Sequence, residues 1–327
     1  MRTASYPIRG AFTIARGSRT SAETVICTAR LGDWSGQGEA VPYARYGEDV
    51  PGVAAQIEGA AVEAGSPAEL QAAREGLRNA LPPGAARNAI DCALWDLEAK
   101  ATGRPAHLAI CSTPPRPTAT AFTLSLGPVD EMADDARAAR AHGLLKVKLG
   151  GGDGHDAARI RAVASSAPDC RLILDANEGW TADEMPGFMR EAARVGAVLL
   201  EQPLPAGEDA ALADMPHPVP VCADESAHVG RGLDELVGRY DYVNVKLDKT
   251  GGLTEALAMR AEARRLGFGV MVGCMLGSSL AMAPAVLLAQ EADLVDLDGP
   301  LLLARDFQPA LRYSGSIVSP PDRDLWG

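Results

Sequence analysis

The 327-residue sequence predicts an α/β protein in two parts, an α+β first third followed by a closed parallel barrel of eight strands. Three observations predict it. From about residue 117, short apolar runs alternate with amphipathic helical stretches. Successive runs end 22–27 residues apart, the length of one strand, one helix and two loops. Most runs end in a charged residue, and strand C-termini are where barrel enzymes carry their chemistry.

The elements follow in order. Glu23 to Arg30 is β-rich and leads into a glycine-bearing turn at Gly32 to Gly38, which reads as an antiparallel hairpin or meander. Ser66-Pro67-Ala68-Glu69 is a capping box with proline at the first helical position. From Ala85 to Ala101, Ile90, Leu94 and Leu97 recur at helical spacing until Gly103 and Pro105 stop the run. Barrel strands are expected at Ala119 to Leu124, Leu144 to Lys148, Leu172 to Asp175, Ala197 to Glu201, Val219 to Cys222, Tyr242 to Lys246, Phe268 to Val272 and Asp293 to Asp296. Thr181 to Glu184 looks like a helix start, but Pro186 follows too soon to sit inside that helix, which is expected to begin late.

Composition narrows the function. With 47% hydrophobic and 23% charged residues the chain can bury a large core. A formal net charge of -12 is the wrong sign for binding a phosphate backbone, so no nucleic-acid partner is expected. The longest nearly apolar stretch, Leu280 to Ala289, is far short of the roughly 20 residues that span a bilayer and is broken by Pro284. No signal-like apolar run opens the sequence, and a cytoplasmic protein is expected. Six cysteines without a CxxC pair signal neither a zinc site nor a disulfide framework.

The strand ends carry the chemistry. Asp175, Glu201 and Asp224 end adjacent strands, and three negative charges at one rim need a cation. Singly each is an ordinary helix cap or solvated acid; in register on consecutive strands they are all-oxygen ligands suited to Mg2+. Lys146 and Lys148, two apart on one strand, point the same way, and Lys246 arrives from across the barrel. A lysine at a buried strand end beside a metal is expected to lose proton affinity and become a usable base. Asp296 and Asp298 lie on one side of the last strand, a receptor for a substrate cation, most simply an ammonium.

These residues resemble the enolase superfamily, its muconate-lactonizing-type group, and within that the dipeptide epimerases, those acting on L-Ala-D/L-Glu above all. The similarity covers nearly the whole chain. It is carried by Phe12 to Arg19, Pro42 to Glu48, Ala85 to Asp96, Lys146-Val147-Lys148, Asp175-Ala176-Asn177, Glu201-Gln202-Pro203, Ala223 to Ser226, Lys246 to Gly252 and Asp296 to Pro300. The resemblance implies a (β/α)7β TIM-like barrel over residues 116–305, an N-terminal α+β capping domain over 1–115, and a C-terminal segment, 306–327, packing back on the cap. It implies Mg2+ on Asp175, Glu201 and Asp224, the substrate carboxylate held with help from Lys146, and Lys148 and Lys246 trading the α-proton across two faces through a metal-stabilised enolate. Asp296 and Asp298 would hold the amine of a small dipeptide, L-Ala-D-Glu or L-Ala-L-Glu derived from murein. Arg16 or Arg19 would meet the glutamate side chain, and the residues do not choose between them. Lys249, three residues past the strand, is the weaker competitor for Lys246. A homo-oligomer is compatible with all this and not decided by it.

Two other readings stay open. An N-acylamino acid racemase of the same superfamily uses the same bases, but its substrate carries no ammonium to meet the acidic pair. A Schiff-base aldolase barrel would instead use Lys246 as nucleophile.

Overall fold

The computed structural model describes residues Met1–Gly327. Strands β1 (Arg2–Ile14), β2 (Gly17–Leu31) and β3 (Trp34–Ala40) form the antiparallel meander. Helices α1 (Val50–Gly59), α2 (Leu70–Ala80), α3 (Ala85–Thr102) and the short α4 (His107–Ile110) follow. The capping box does not make its reciprocal bonds: Ser66 Oγ donates to Glu69 Oε1 at 3.0 Å, Glu69 Oε2 accepts from Gly65 N at 2.8 Å, and a 3-10 turn hands over to α2 at Leu70. Glycines in β3 bring α3 directly onto the sheet: a Cβ on Gly36 would stand 2.2 Å from Leu97 N. α3 stops at Gly103, whose φ of 67° is left-handed.

A two-residue strand β4 (Thr118–Ala119) precedes the barrel strands β5 (Phe122–Leu124), β6 (Leu144–Lys148), β7 (Arg171–Asp175), β8 (Leu199–Glu201), β9 (Val221–Ala223), β10 (Tyr242–Val245), β11 (Gly269–Gly273) and β12 (Leu294–Asp296). These eight pair in sequence order, parallel throughout. The crossovers carry α5 (Val129–Ala139), α6 (Asp156–Ser166), α7 (Met185–Arg194), α8 (Leu247–Thr250), α9 (Leu253–Arg265) and α10 (Ser279–Leu288); α11 (Gly299–Leu302) and the hairpin β13 (Tyr313–Ser314) and β14 (Ile317–Val318) close the chain. As expected, α7 begins late, with Pro186 in its first turn.

Two expectations are corrected. The first barrel strand starts at Phe122, because Thr118–Ala119 belongs to a separate sheet with β14. The crossovers after β8 and β9 hold only 3-10 turns, Ala210–Asp214 and Leu233–Leu236. Pro203, Pro205, Pro216, Pro218 and Pro220 deny the first of these the amide donors a helix needs.

The barrel closes between β12 and β5 without a ladder. Ala121 N donates to Val295 O at 2.8 Å, Leu297 N to Thr120 Oγ1 at 2.7 Å, and Thr123 N to Asp298 Oδ2 at 2.6 Å. Inside, Ala121, Leu144, Ile173, Leu199, Cys222, Met271 and Leu294 form a dry apolar layer. Strand side chains repeat every two residues, so the next layer toward the C-terminal rim is Thr123, Lys146, Asp175, Glu201, Asp224, Asn244, Gly273 and Asp296. The apolar layer is the floor beneath the polar one. No helix is long and apolar enough to cross a membrane, and all six cysteines are free.

Candidate active site

The strands bring the predicted residues together at that rim. Lys146, wholly buried, reaches three acids: Glu201 Oε2 at 2.7 Å, Asp296 Oδ2 at 2.8 Å and Asp175 Oδ2 at 3.2 Å. Lys148 Nζ pairs with Asp175 Oδ2 at 2.7 Å, and Lys246 Nζ with Asp224 Oδ2 at 2.6 Å. Ammonium groups thus stand between the carboxylates, which do not themselves converge on one point.

The surrounding carboxylates act on the buried lysines in the direction opposite to burial. Burial pulls Lys246 down, but Asp224 and Glu201 push it well above its ordinary value, and Asp296, Glu201 and Asp175 do the same to Lys146. Conversely, burial would raise Asp175 and Asp224, but Lys148 and Lys146 hold the first down, and Lys246 and Lys249 the second. Glu201 is raised by burial and by Asp175 and Asp224, which marks a site short of positive charge. Its Oε2, 2.7 Å from the Lys146 ammonium, is buried without a well-aligned hydrogen bond. An all-oxygen donor set lacking positive charge fits a divalent cation.

Lys249 is entirely buried and turned away from the cavity. Its Nζ bonds Asp224 Oδ1 and O, Ala227 O and Asn244 O at 2.5–2.9 Å, leaving Lys246 as the lysine that faces the opening. Asp298 stands just before α11 with one oxygen committed to Thr123 N, and burial and Asp296 raise its proton affinity. Asp296 Oδ1 is buried with no partner.

Cap and barrel share the cavity. Phe12, Ile14, Arg19, Tyr43 and Tyr46 line it from the cap, and Lys148, Asn177, Glu225, Lys246 and Met275 from the barrel. Arg16 is consumed in a clamp: it donates to Asn177 O, Glu178 Oε2, Tyr43 OH and Glu225 Oε1 at 2.6–3.1 Å. Arg45 adds a two-pronged bond to Glu178 at 2.8 Å. Arg19 lies on β2, makes no ion pair, and rests over the Tyr43 ring. Sequence reasoning did not single out Asn177, Glu225 or the two tyrosines, although the first two adjoin the predicted ligands Asp175 and Asp224.

This fold and rim define a class. Residues 1–109 match the mandelate racemase/muconate lactonizing enzyme N-terminal domain and residues 131–324 the enolase C-terminal domain-like family, so the chain belongs to that family of the enolase superfamily. Its relatives are narrower. It is 45% identical to the L-Ala-D/L-Glu epimerase of Escherichia coli (strain K12), over 95% of each chain. It is 44% identical to an N-acetyl-D-glutamate racemase of Pseudoalteromonas sp., over 90% of this chain and 92% of the other. A crystal structure of an enolase family member from Agrobacterium tumefaciens with homology to dipeptide epimerases, bound to sodium and L-Ala-L-Glu, superposes with a TM-score of 0.94 at 52% identity, covering 100% of this chain and 98% of that one. The resemblance to dipeptide epimerases read from the motifs is borne out.

Proposed function

We propose that this protein is a Mg2+-dependent epimerase of L-Ala-D-Glu and L-Ala-L-Glu. The observation that carries the reading is the pair Lys148 and Lys246, which face one cavity from the second and sixth strands, each ion-paired to a proposed metal ligand. Asp175, Glu201 and Asp224 would hold the cation, and their shortage of positive charge supports that. When bound, Mg2+ supplies charge that stabilises the substrate carboxylate as the neighbouring carbon loses its proton, and relieves the two lysines of neutralising Asp175 and Asp224.

Lys146 orients the substrate carboxylate. One of Lys148 and Lys246 takes the α-proton, the C–H pair moves toward the carboxylate, and the other returns a proton to the opposite face. Asp296 Oδ1, buried and unpartnered, with Asp298 beside it, receives the dipeptide ammonium. Arg19 receives the glutamate side chain, since Arg16 is already spent on the clamp. The three-part division of the chain belongs to this reading; Trp326 Nε1 bonding Cys92 O and Gly327 N bonding Asp96 Oδ1 support a C-terminal segment packed on the cap. A cytoplasmic setting and a role in recovering peptidoglycan peptides also belong to this reading.

The racemase relative favours a second reading, N-acyl glutamate as substrate. Proton NMR in D2O with L-Ala-L-Glu and with N-acetyl-L-Glu separates them. Loss of the glutamate α-proton signal is expected for the dipeptide in the presence of Mg2+; faster exchange of the N-acetyl compound would replace epimerase by racemase.

A further inference from the structure

Asn244 takes no part in the reaction above, yet it stands in the barrel layer that carries the carboxylates. It is fully buried on β10, two residues before Lys246 and on the same face of the strand. Its Nδ2 donates to Glu201 Oε1 at 2.8 Å. That contact fixes which way the amide points, because the flipped amide would set its oxygen against the carboxylate. The amide oxygen is then left buried with no partner, facing Gly273 on β11.

A half-satisfied buried amide is a costly way to fill a barrel interior. An aliphatic side chain would fill the same volume without stranding a polar atom. What the asparagine adds is one N–H aimed at Glu201. The neighbouring acids have other holders: Lys148 for Asp175, and Lys246 with Lys249 for Asp224. Of the Glu201 oxygens, Oε2 lies 2.7 Å from Lys146, and Oε1 has Asn244 alone. Gly273 makes the arrangement sterically feasible, since a Cβ there would lie 2.6 Å from Asn244 Oδ1.

We infer that Asn244 is a positioning residue: by holding Oε1 it turns Oε2 of Glu201 toward the centre of the site, as a single ligand oxygen for a divalent cation. The inference rests on the metal reading above. Partners of metal ligands typically set affinity by about 10- to 100-fold. Asn244 is neutral, so its removal changes orientation without changing the charge of the site.

The test is calorimetric titration of MgCl2, without substrate, into wild type, Asn244→Ala, Gly273→Ala and the double variant, with a thermal melt of each. Wild type should saturate, and Asn244→Ala should bind about 10- to 100-fold more weakly. Gly273→Ala, whose new methyl must push the amide off Glu201, should also weaken binding. In the Asn244→Ala background the same change should cost less than about twofold, because no amide is left to displace. Absence of saturable binding by wild type overturns the metal reading itself. Saturable wild type with Asn244→Ala within about twofold of it, the loss confined to melting temperature, overturns the role of Asn244 alone. Should Asn244→Ala not fold, Gly273→Ala decides by itself: unaltered Mg2+ affinity there rejects the inference.

Discussion

Lys148 and Lys246 occupy strands four apart in an eight-stranded ring, so their ammonium groups approach a substrate from opposite sides. In the proposed reaction Lys148→Ala should still exchange the α-proton of one epimer in D2O, Lys246→Ala should exchange that of the other, and neither should interconvert them. Exchange of the same epimer by both variants would remove the two-base assignment. For the acidic pair, a charge-assisted hydrogen bond contributes roughly 1.5–3 kcal/mol, so Asp296→Asn should lower kcat/KM for L-Ala-L-Glu by about 10- to 150-fold. Activity on N-acetyl-L-Glu should fall less. The charged residues of the site were legible in the sequence because a charge at the end of an apolar run is conspicuous. Asn244 was not, because a neutral side chain inside a strand looks like any other interior residue until its hydrogen bond to Glu201, 43 positions away, is visible.

The barrel strands were legible for a similar reason: parallel strands buried on both faces read as short apolar runs with a steady period. Their edges were less so. Thr118–Ala119 looked continuous with the first strand, and only residues 317–318, some 200 positions on, draw it into another sheet. The helix missing after β8 is local prolines outvoting the period, and the crossover after β9 is instead broken by Gly232 and Gly238, both at left-handed φ. The seam where the ring closes assigns Asp298 a second task, accepting Thr123 N–H across the gap. Asp298→Ala leaves that buried donor unpaired and should cost about 1–3 kcal/mol in urea unfolding. Asp298→Asn keeps a carbonyl oxygen for the bond and should unfold close to wild type while losing dipeptide activity. Equal stability of the two variants would show that the seam does not depend on Asp298.

Two buried carboxyl groups join cap to barrel. Glu39 of β3 accepts from Ser278 N and Oγ, and Asp248 of α8 accepts from Val41 N and Asn88 Nδ2. Burial pushes each up to about 7. The folded protein therefore holds protons that the unfolded chain has released between about pH 4 and 7. Their contribution to stability is complete below that window and is lost as pH rises through 7. Glu39→Gln keeps an acceptor for Ser278 and removes the titration, so its melting temperature should fall less than that of wild type between pH 5 and pH 8; parallel curves would contradict this. The clamp of Arg16 and Arg45 on Glu178 and Glu225 has a different consequence. Every proposed proton-handling and metal-holding residue lies on the barrel, whereas the proposed side-chain reader, Arg19, lies on the cap with Phe12 and Ile14. Reaction and reading of the glutamate side chain are thus inherited on separate stretches of one chain, free to diverge at different rates, and these four ionic side chains are the shared grammar any exchanged cap must keep.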